Sequence, residues 1–430
     1  MKQTKFGLGV AAAVTLMLAT ACSGGGSTPG AQSGPAPSDL KSDITYSYWD
    51  VNQKPAMDKV IAQFNEKYPN IKVTSEITPW AQYWTKLQTQ GSSNTLPDVF
   101  WMNGPNFQLY ATNGQLQPLT SLTDSKQVDP ANYPDSLNKL YSTGGKQYGV
   151  PKDFDTIALW YNKAIFAKAG VPLPTGSWTW DDFHKAAKTI SDKLKDQGIY
   201  GVATNLSGGQ EGYYDSILQA GGNVISADGK KSGYDDPASI KGLQLWADLI
   251  ADGSSPTLAQ MSDTPANKWF DNGKAAMEWT GTWQVSEIKA SPVSADASVV
   301  PLPSGTQKAT VIHGLANVVS AKSKNMQAAE AFQAFLGTKA AALTQADMGA
   351  ANPAFNGTQQ AFVDSVPSFN IKVFEDAANQ YALPFPVSKN TAAWNQLETD
   401  LLPDAFSGKK PVADVAKDLA DKMNALLAKE

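Results

Sequence analysis

The chain has 430 residues, a formal net charge of −5 and 42% apolar content, too long for one core, so an α/β protein of two lobes is expected. All 35 basic residues are lysine, which disfavours carboxylate, phosphate and peptide ligands that arginine's planar fork ordinarily clamps; the acidic balance disfavours nucleic acid. Two histidines, His184 and His313, and one cysteine disfavour a zinc or copper site, and nothing in the composition calls for a cofactor.

Residues 1–21 read as an export signal. Lys2 and Lys5 precede an apolar run over 6–19 that is too short to span a bilayer, and Thr20 and Ala21 lead to Cys22. A lone cysteine at the cut cannot form an intramolecular disulfide. It suits thioether attachment of lipid, with a spare thiol as the alternative. The segment Leu18-Ala19-Thr20-Ala21-Cys22 resembles a bacterial lipobox, with Ala19 where leucine is usual and Leu18 one place further out. Removal of the two lysines brings the mature chain to about −7. Residues 22–41 are rich in Gly, Ser, Pro, Ala and Gln and read as a flexible tether of about 25 Å reach. The expectation is a protein outside the cytoplasmic membrane, held to it by acyl chains.

Order begins with the β-branched and aromatic strand 44–49. Pro55 suits a helix first turn, and Met57, Val60, Ile61 and Phe64 form one buried stripe before Tyr68-Pro69-Asn70 stops the helix. A strand over 71–77, a helix over 81–90 and a strand over 98–102 follow. This β-α-β-α-β order predicts a parallel sheet covered on both faces, with ligand beyond the strands' carboxyl ends, where Trp49-Asp50 and Trp101-Met102-Asn103 fall. Strands are expected over 156–161, 275–279, 297–302 and 311–319, the last interrupted by His313-Gly314. Helices are expected over 180–195, 237–251, 265–272, 326–336, 339–348, 372–381, 391–402 and 412–427. Twelve tryptophans and fourteen tyrosines supply flat rings of the kind on which sugar faces stack, though most would be core.

Four segments in order carry a resemblance. In Pro151-Lys152-Asp153-Phe154-Asp155, running on to Tyr161-Asn162-Lys163, the positions Pro151, Asp153, Ala158, Tyr161, Asn162, Phe166 and Lys168 fit, while Lys152 and Trp160 depart. Trp178-Thr179-Trp180-Asp181-Asp182-Phe183, Phe270 to Met277 with Trp279 to Trp283, and Glu330 to Leu336 complete the set. Together they resemble bacterial extracellular sugar-binding proteins of the maltose-binding type that serve ABC importers. The resemblance implies a two-lobed periplasmic-binding-protein-like fold with a cleft, one lobe over 42–153 and 316–352, the other over 154–315 and 353–430. It also implies closure on a neutral mono- or oligosaccharide that is passed to ABC permease subunits in the membrane.

Candidate ligand contacts follow. Asp50 is similar to the family's acid in the first loop, or it caps the helix at Pro55. Asp155, six residues before Tyr161, matches an acid that relatives place in the cleft, with Asp153 the alternative. Trp283 resembles the family's stacking ring; Trp279 reads as core. Trp101 and Asn103 are expected as pocket wall and hydroxyl partner, Trp80 as cleft rim, and one of Tyr213 and Tyr214 as an aromatic contact. His313 is a candidate contact or a structural residue, and Gly314 a contact or a site of close backbone approach. A carboxylate can accept two neighbouring hydroxyls at once, which suits polyol recognition. A secreted carbohydrate-active enzyme working through Asp50 and Asp155 is the alternative function. A receptor for peptides or metal complexes is a third class, which the missing arginine and scarce histidine oppose.

Overall fold

The computed structural model describes residues 34–430; the signal segment, Cys22 and most of the tether lie outside the described residues. The first strand, Ser42–Tyr48, buries Ile44, Tyr46 and Tyr48. Helix Lys54–Lys67 lays Met57, Val60 and Phe64 onto them and ends where the Tyr68 N–H returns to the Phe64 carbonyl. Strand Ile71–Ile77 then pairs in parallel with the first, Ser42 opposite Ile71, and strand Val99–Met102 pairs in parallel on its other side. These three strands are the parallel sheet that the sequence order predicts. Two antiparallel additions complete it, Ala316–Val319 beside Val99–Met102 and then Val150–Pro151.

A second sheet has the order Ala297–Val300, Ala158–Asn162, Ala275–Thr280, Tyr200–Val202. Helix Trp180–Leu194 opens on a reciprocal cap between Thr179 and Asp182 and packs Phe183, Ala187 and Ile190 against this sheet. Helices Pro237–Ala251, Thr391–Phe406 and Val412–Leu427 close the same core. The expected strand over 311–319 is two strands. Thr310–Ile312 pairs with Ala382–Pro384, Ala316–Val319 enters the first sheet, and His313-Gly314-Leu315 is the crossing between them.

Three crossings run side by side. Lys152 N–H donates to the Leu315 carbonyl (2.8 Å), Asp155 and His313 exchange backbone bonds (2.7 and 3.0 Å), Phe154 N–H donates to the Asn352 carbonyl (3.1 Å), and Ala354 N–H to the Lys152 carbonyl (3.0 Å). A Cβ on Gly314 would lie 2.3 Å from the Asp153 carbonyl oxygen, so glycine is required here by close backbone approach. Gly314→Ala should lower stability in urea unfolding by about 1–3 kcal/mol. Gly208→Ala, which meets no heavy atom within 4 Å, should stay near wild type.

Candidate functional site

The carboxyl ends of the first-lobe strands carry a cluster of rings. Trp49, half-buried, is its centre, with ring centroids 5.1 Å from Trp80, 5.0 Å from Tyr83, 5.8 Å from Trp84 and 5.1 Å from Trp101. Trp80 heads helix Trp80–Ser92 and is 52% exposed, so the cluster presents one open ring on a rigid aromatic base. Beside it Asp50 leaves the first strand half-buried. Its Oδ1 accepts from Asn52 N–H (2.9 Å) and its Oδ2 from Gln53 Nε2 (3.0 Å). The carboxylate therefore caps the short turn Val51–Gln53, one turn before the helix it was expected to cap. Burial raises this carboxyl above the usual range, and the two hydrogen bonds and the Lys152 charge oppose that rise.

The two acids of the first crossing divide. Asp153 is 2% exposed, accepts from Lys152 Nζ (2.6 Å) and takes the Leu315 N–H (3.0 Å), which makes it a hinge residue. Asp155 is half-buried, and its Oδ1 accepts from both the N–H (3.1 Å) and the hydroxyl of Thr282, leaving Oδ2 without a partner among the described residues. Burial, then the Asp153 charge, pushes the Asp155 carboxyl well up, against the pull of Lys152.

Thr282 opens the turn that follows strand Ala275–Thr280, and Trp283 is next to it, half-buried. Its ring folds over Gly281, where a Cβ would sit 2.0 Å from the ring, so only glycine permits this pose. Glu211 stands beside this turn and accepts from Thr280 Oγ1 (3.0 Å) and Asn205 Nδ2. Burial raises its carboxyl, while donors from Asn205, Thr280 and Trp283 oppose the rise. Trp49 and Glu211 were not among the sequence candidates. The end of a β-branched strand and an acid in the glycine-rich loop 207–212 were the available signals.

Six candidates have other roles. Trp101 is fully buried beneath the rings, stacked on Tyr48 (5.0 Å) with its indole N–H on Tyr46 Oη (2.6 Å), so it is a foundation and not pocket wall. Asn103 caps helix Gly104–Thr112 through a bond from Asn106 N–H to its Oδ1 (3.2 Å) and is 5% exposed. His313 accepts the Gly104 N–H at Nε2 (3.1 Å) and lies 4.8 Å from the Phe385 ring; burial lowers it to about 4, so it is neutral and structural. Tyr213 and Tyr214 are both buried, and both hydroxyls donate to Glu398 (3.2 Å; 3.0 and 2.9 Å), so neither faces outward. Gly314, as the fold shows, serves backbone approach. Among the described residues no group of three or more His, Cys, Asp or Glu is arranged to hold a metal, and no helix is long and apolar enough to cross a membrane.

Two α/β lobes linked by three crossings, with rings on one side and carboxylates at the hinge and on the other, define a binding protein of the two-lobed periplasmic type. The chain belongs to the bacterial extracellular solute-binding protein family, whose model matches residues 49–343. It is 27% identical over 390 residues to the diacetylchitobiose binding protein DasA of Streptomyces coelicolor, covering 86% of each chain. It is 28% identical to the ABC substrate-binding protein Lmo0181 of Listeria monocytogenes, solved in complex with cycloalternan, with a TM-score of 0.85 over 90% of this chain and 100% of that one. The GacH receptor of Streptomyces glaucescens shares the fold at a TM-score of 0.79 and 23% identity, over 91% and 99% of the two chains. By name these relatives are two binding proteins and a receptor.

The buried acid that Tyr213 and Tyr214 face carries a pH dependence. Glu398, 2% exposed, also accepts from Tyr234 and Asn395, and burial raises its carboxyl to about 7 against those donors. The folded chain thus keeps a proton that the unfolded chain loses in the ordinary glutamate range. Stability from this group is fully present below that range and is lost as pH rises through the folded value, by about 1.4 kcal/mol per unit. Asp271, raised by burial to about 6, acts in the same direction. Melting temperatures taken between about pH 5 and about pH 8 should fall, and Glu398→Gln should shrink that fall by several degrees. An unchanged slope would remove Glu398 as the source.

Proposed function

We propose that this chain is a lipid-anchored extracytoplasmic receptor that captures a neutral oligosaccharide between its lobes and delivers it to the membrane subunits of an ABC importer, without catalysing a reaction. The observation that carries this reading is the open Trp80 ring on its aromatic base in the first lobe, together with the carboxylates of Asp50, Asp155 and Glu211, each held by neighbouring donors. A ring face takes the C–H face of a sugar, and carboxylates take its hydroxyls in hydrogen bonds stronger than neutral acceptors provide. The cationic charge felt at Asp50 and Asp155 is that of Lys152, whose ammonium is already paired with Asp153. An anionic sugar would meet carboxylates with no free positive charge, which favours uncharged ligands. The lobes of this reading are 42–153 with 316–352, and 154–315 with 353–430, pivoting on the three crossings.

Calorimetry with cycloalternan, diacetylchitobiose and linear gluco-oligosaccharides tests the ligand class. Silence across sugars alongside binding of a peptide or amino acid would overturn it, and release of new reducing ends would favour the enzyme. For any sugar that binds, Trp283→Ala should weaken affinity by about 1–3 kcal/mol with melting little changed. A collapse in melting at constant affinity would make the ring core. Cys22→Ala should move the protein from the membrane fraction to the soluble fraction of cells or medium; retention on the membrane would exclude the anchor.

A further inference from the structure

We propose that Lys152 is a positioning residue of the binding site, holding the first cleft loop to the hinge through Gln53 and so orienting the Asp50 carboxylate. Lys152 is one of the two positions, with Trp160, at which the 151–163 segment departs from the family pattern, and it is 3% exposed. Its ammonium donates to Asp153 Oδ2 (2.6 Å) and Gln53 Oε1 (2.8 Å) and lies 4.3 Å from the centre of the Trp101 ring. Its three protons thus face an acid, an amide oxygen and a π-face, and the charge has no open side. Asp153 continues the link to the second crossing through the Leu315 N–H (3.0 Å).

Gln53, also 3% exposed, is the polar hinge pin of this relay. An amide has one acceptor end and one donor end. With Lys152 on its oxygen, the nitrogen must face Asp50 Oδ2, where it donates at 3.0 Å, and Asp50 Oδ1 is left for the Asn52 N–H at 2.9 Å. Without the ammonium the amide can turn over and set oxygen against carboxylate. The Lys152 charge is also felt at Asp50, where it opposes the rise caused by burial. A buried ion pair contributes little net stability compared with a hydrocarbon replacement, so its effect is best sought in geometry. Ring and acid are positioned together, because the same ammonium lies on Trp101, which supports Trp49.

The consequence for affinity rests on Asp50 being a ligand contact; the relay itself does not. Lys152→Met leaves a buried carboxylate at Asp153 and can damage folding, so Gln53→Leu, which keeps the ion pair, is the decisive variant. In hydrogen–deuterium exchange on the full mature chain, Gln53→Leu should speed exchange across 50–53 by at least about fivefold while 312–315 keeps its protection. A smaller change at 50–53, or equal loosening of both segments, would overturn the relay. Calorimetry with cycloalternan then separates the two readings. If Asp50→Asn weakens binding and Gln53→Leu weakens it severalfold, both stand. Weakening by Asp50→Asn alone removes the functional role of the relay. No effect of Asp50→Asn, or no binding of cycloalternan by wild type, removes the ligand reading tested, while exchange still decides the relay.

Discussion

The close approach of three backbone crossings is the constraint on which the rest of this molecule depends. Residues 152–155, 313–315 and 352–354 share backbone hydrogen bonds, and the absent side chain at Gly314 lets the second crossing lie on the Asp153 carbonyl. Paired backbone groups here need no water, so the join is polar yet buried. Both acids of the first crossing inherit their roles from it. Asp153 faces Lys152 and the Leu315 N–H, and Asp155 faces Thr282 on the far side. Helix Lys339–Asp347 packs on both helix Lys54–Lys67 and helix Gln359–Ser365, which makes the third crossing part of a packed seam.

From that join each lobe contributes both rings and an acid. The first lobe ends its parallel strands in rings, with Trp101 as a buried foundation, Trp49 above it and Trp80 open. The second lobe ends an antiparallel pairing in Thr282 and Trp283, with Glu211 beside them. Stacking needs rigid rings with little entropy to lose, and the rings here are held edge-on by one another. Acceptors need fixed lone pairs, and Asp50, Asp155 and Glu211 are each held by neighbouring donors. Rings and carboxylates are thus both fixed by the fold itself, which is the physical meaning of preorganisation.

Local pattern was a good guide where one face of one element decides burial. The stripe Met57, Val60 and Phe64 predicts its helix because a 3.6-residue period has one way to reach a core. The order of the first three strands predicts their parallel pairing for a similar reason. The stretch 311–319 reads as one strand because its apolar residues flank His313-Gly314 evenly, yet its halves pair in different sheets. The resemblance put one of Tyr213 and Tyr214 in the cleft, and nothing local corrects it, because their acceptor, Glu398, is more than 180 positions away along the chain.

Composition and motif order by themselves determined the class of this protein: two α/β lobes of the solute-binding type, in a chain whose basic residues are all lysine. Only the tertiary structure decided which rings are open and which donors hold each acid. Trp80 and Trp101 are the same residue type at comparable places beside strand ends, and only the packing of Tyr48, Tyr46 and Lys152 around Trp101 removes it from the surface. Exposure is set by what lies above a side chain. What lies above is chosen by pairings between segments far apart in sequence, which no local period encodes.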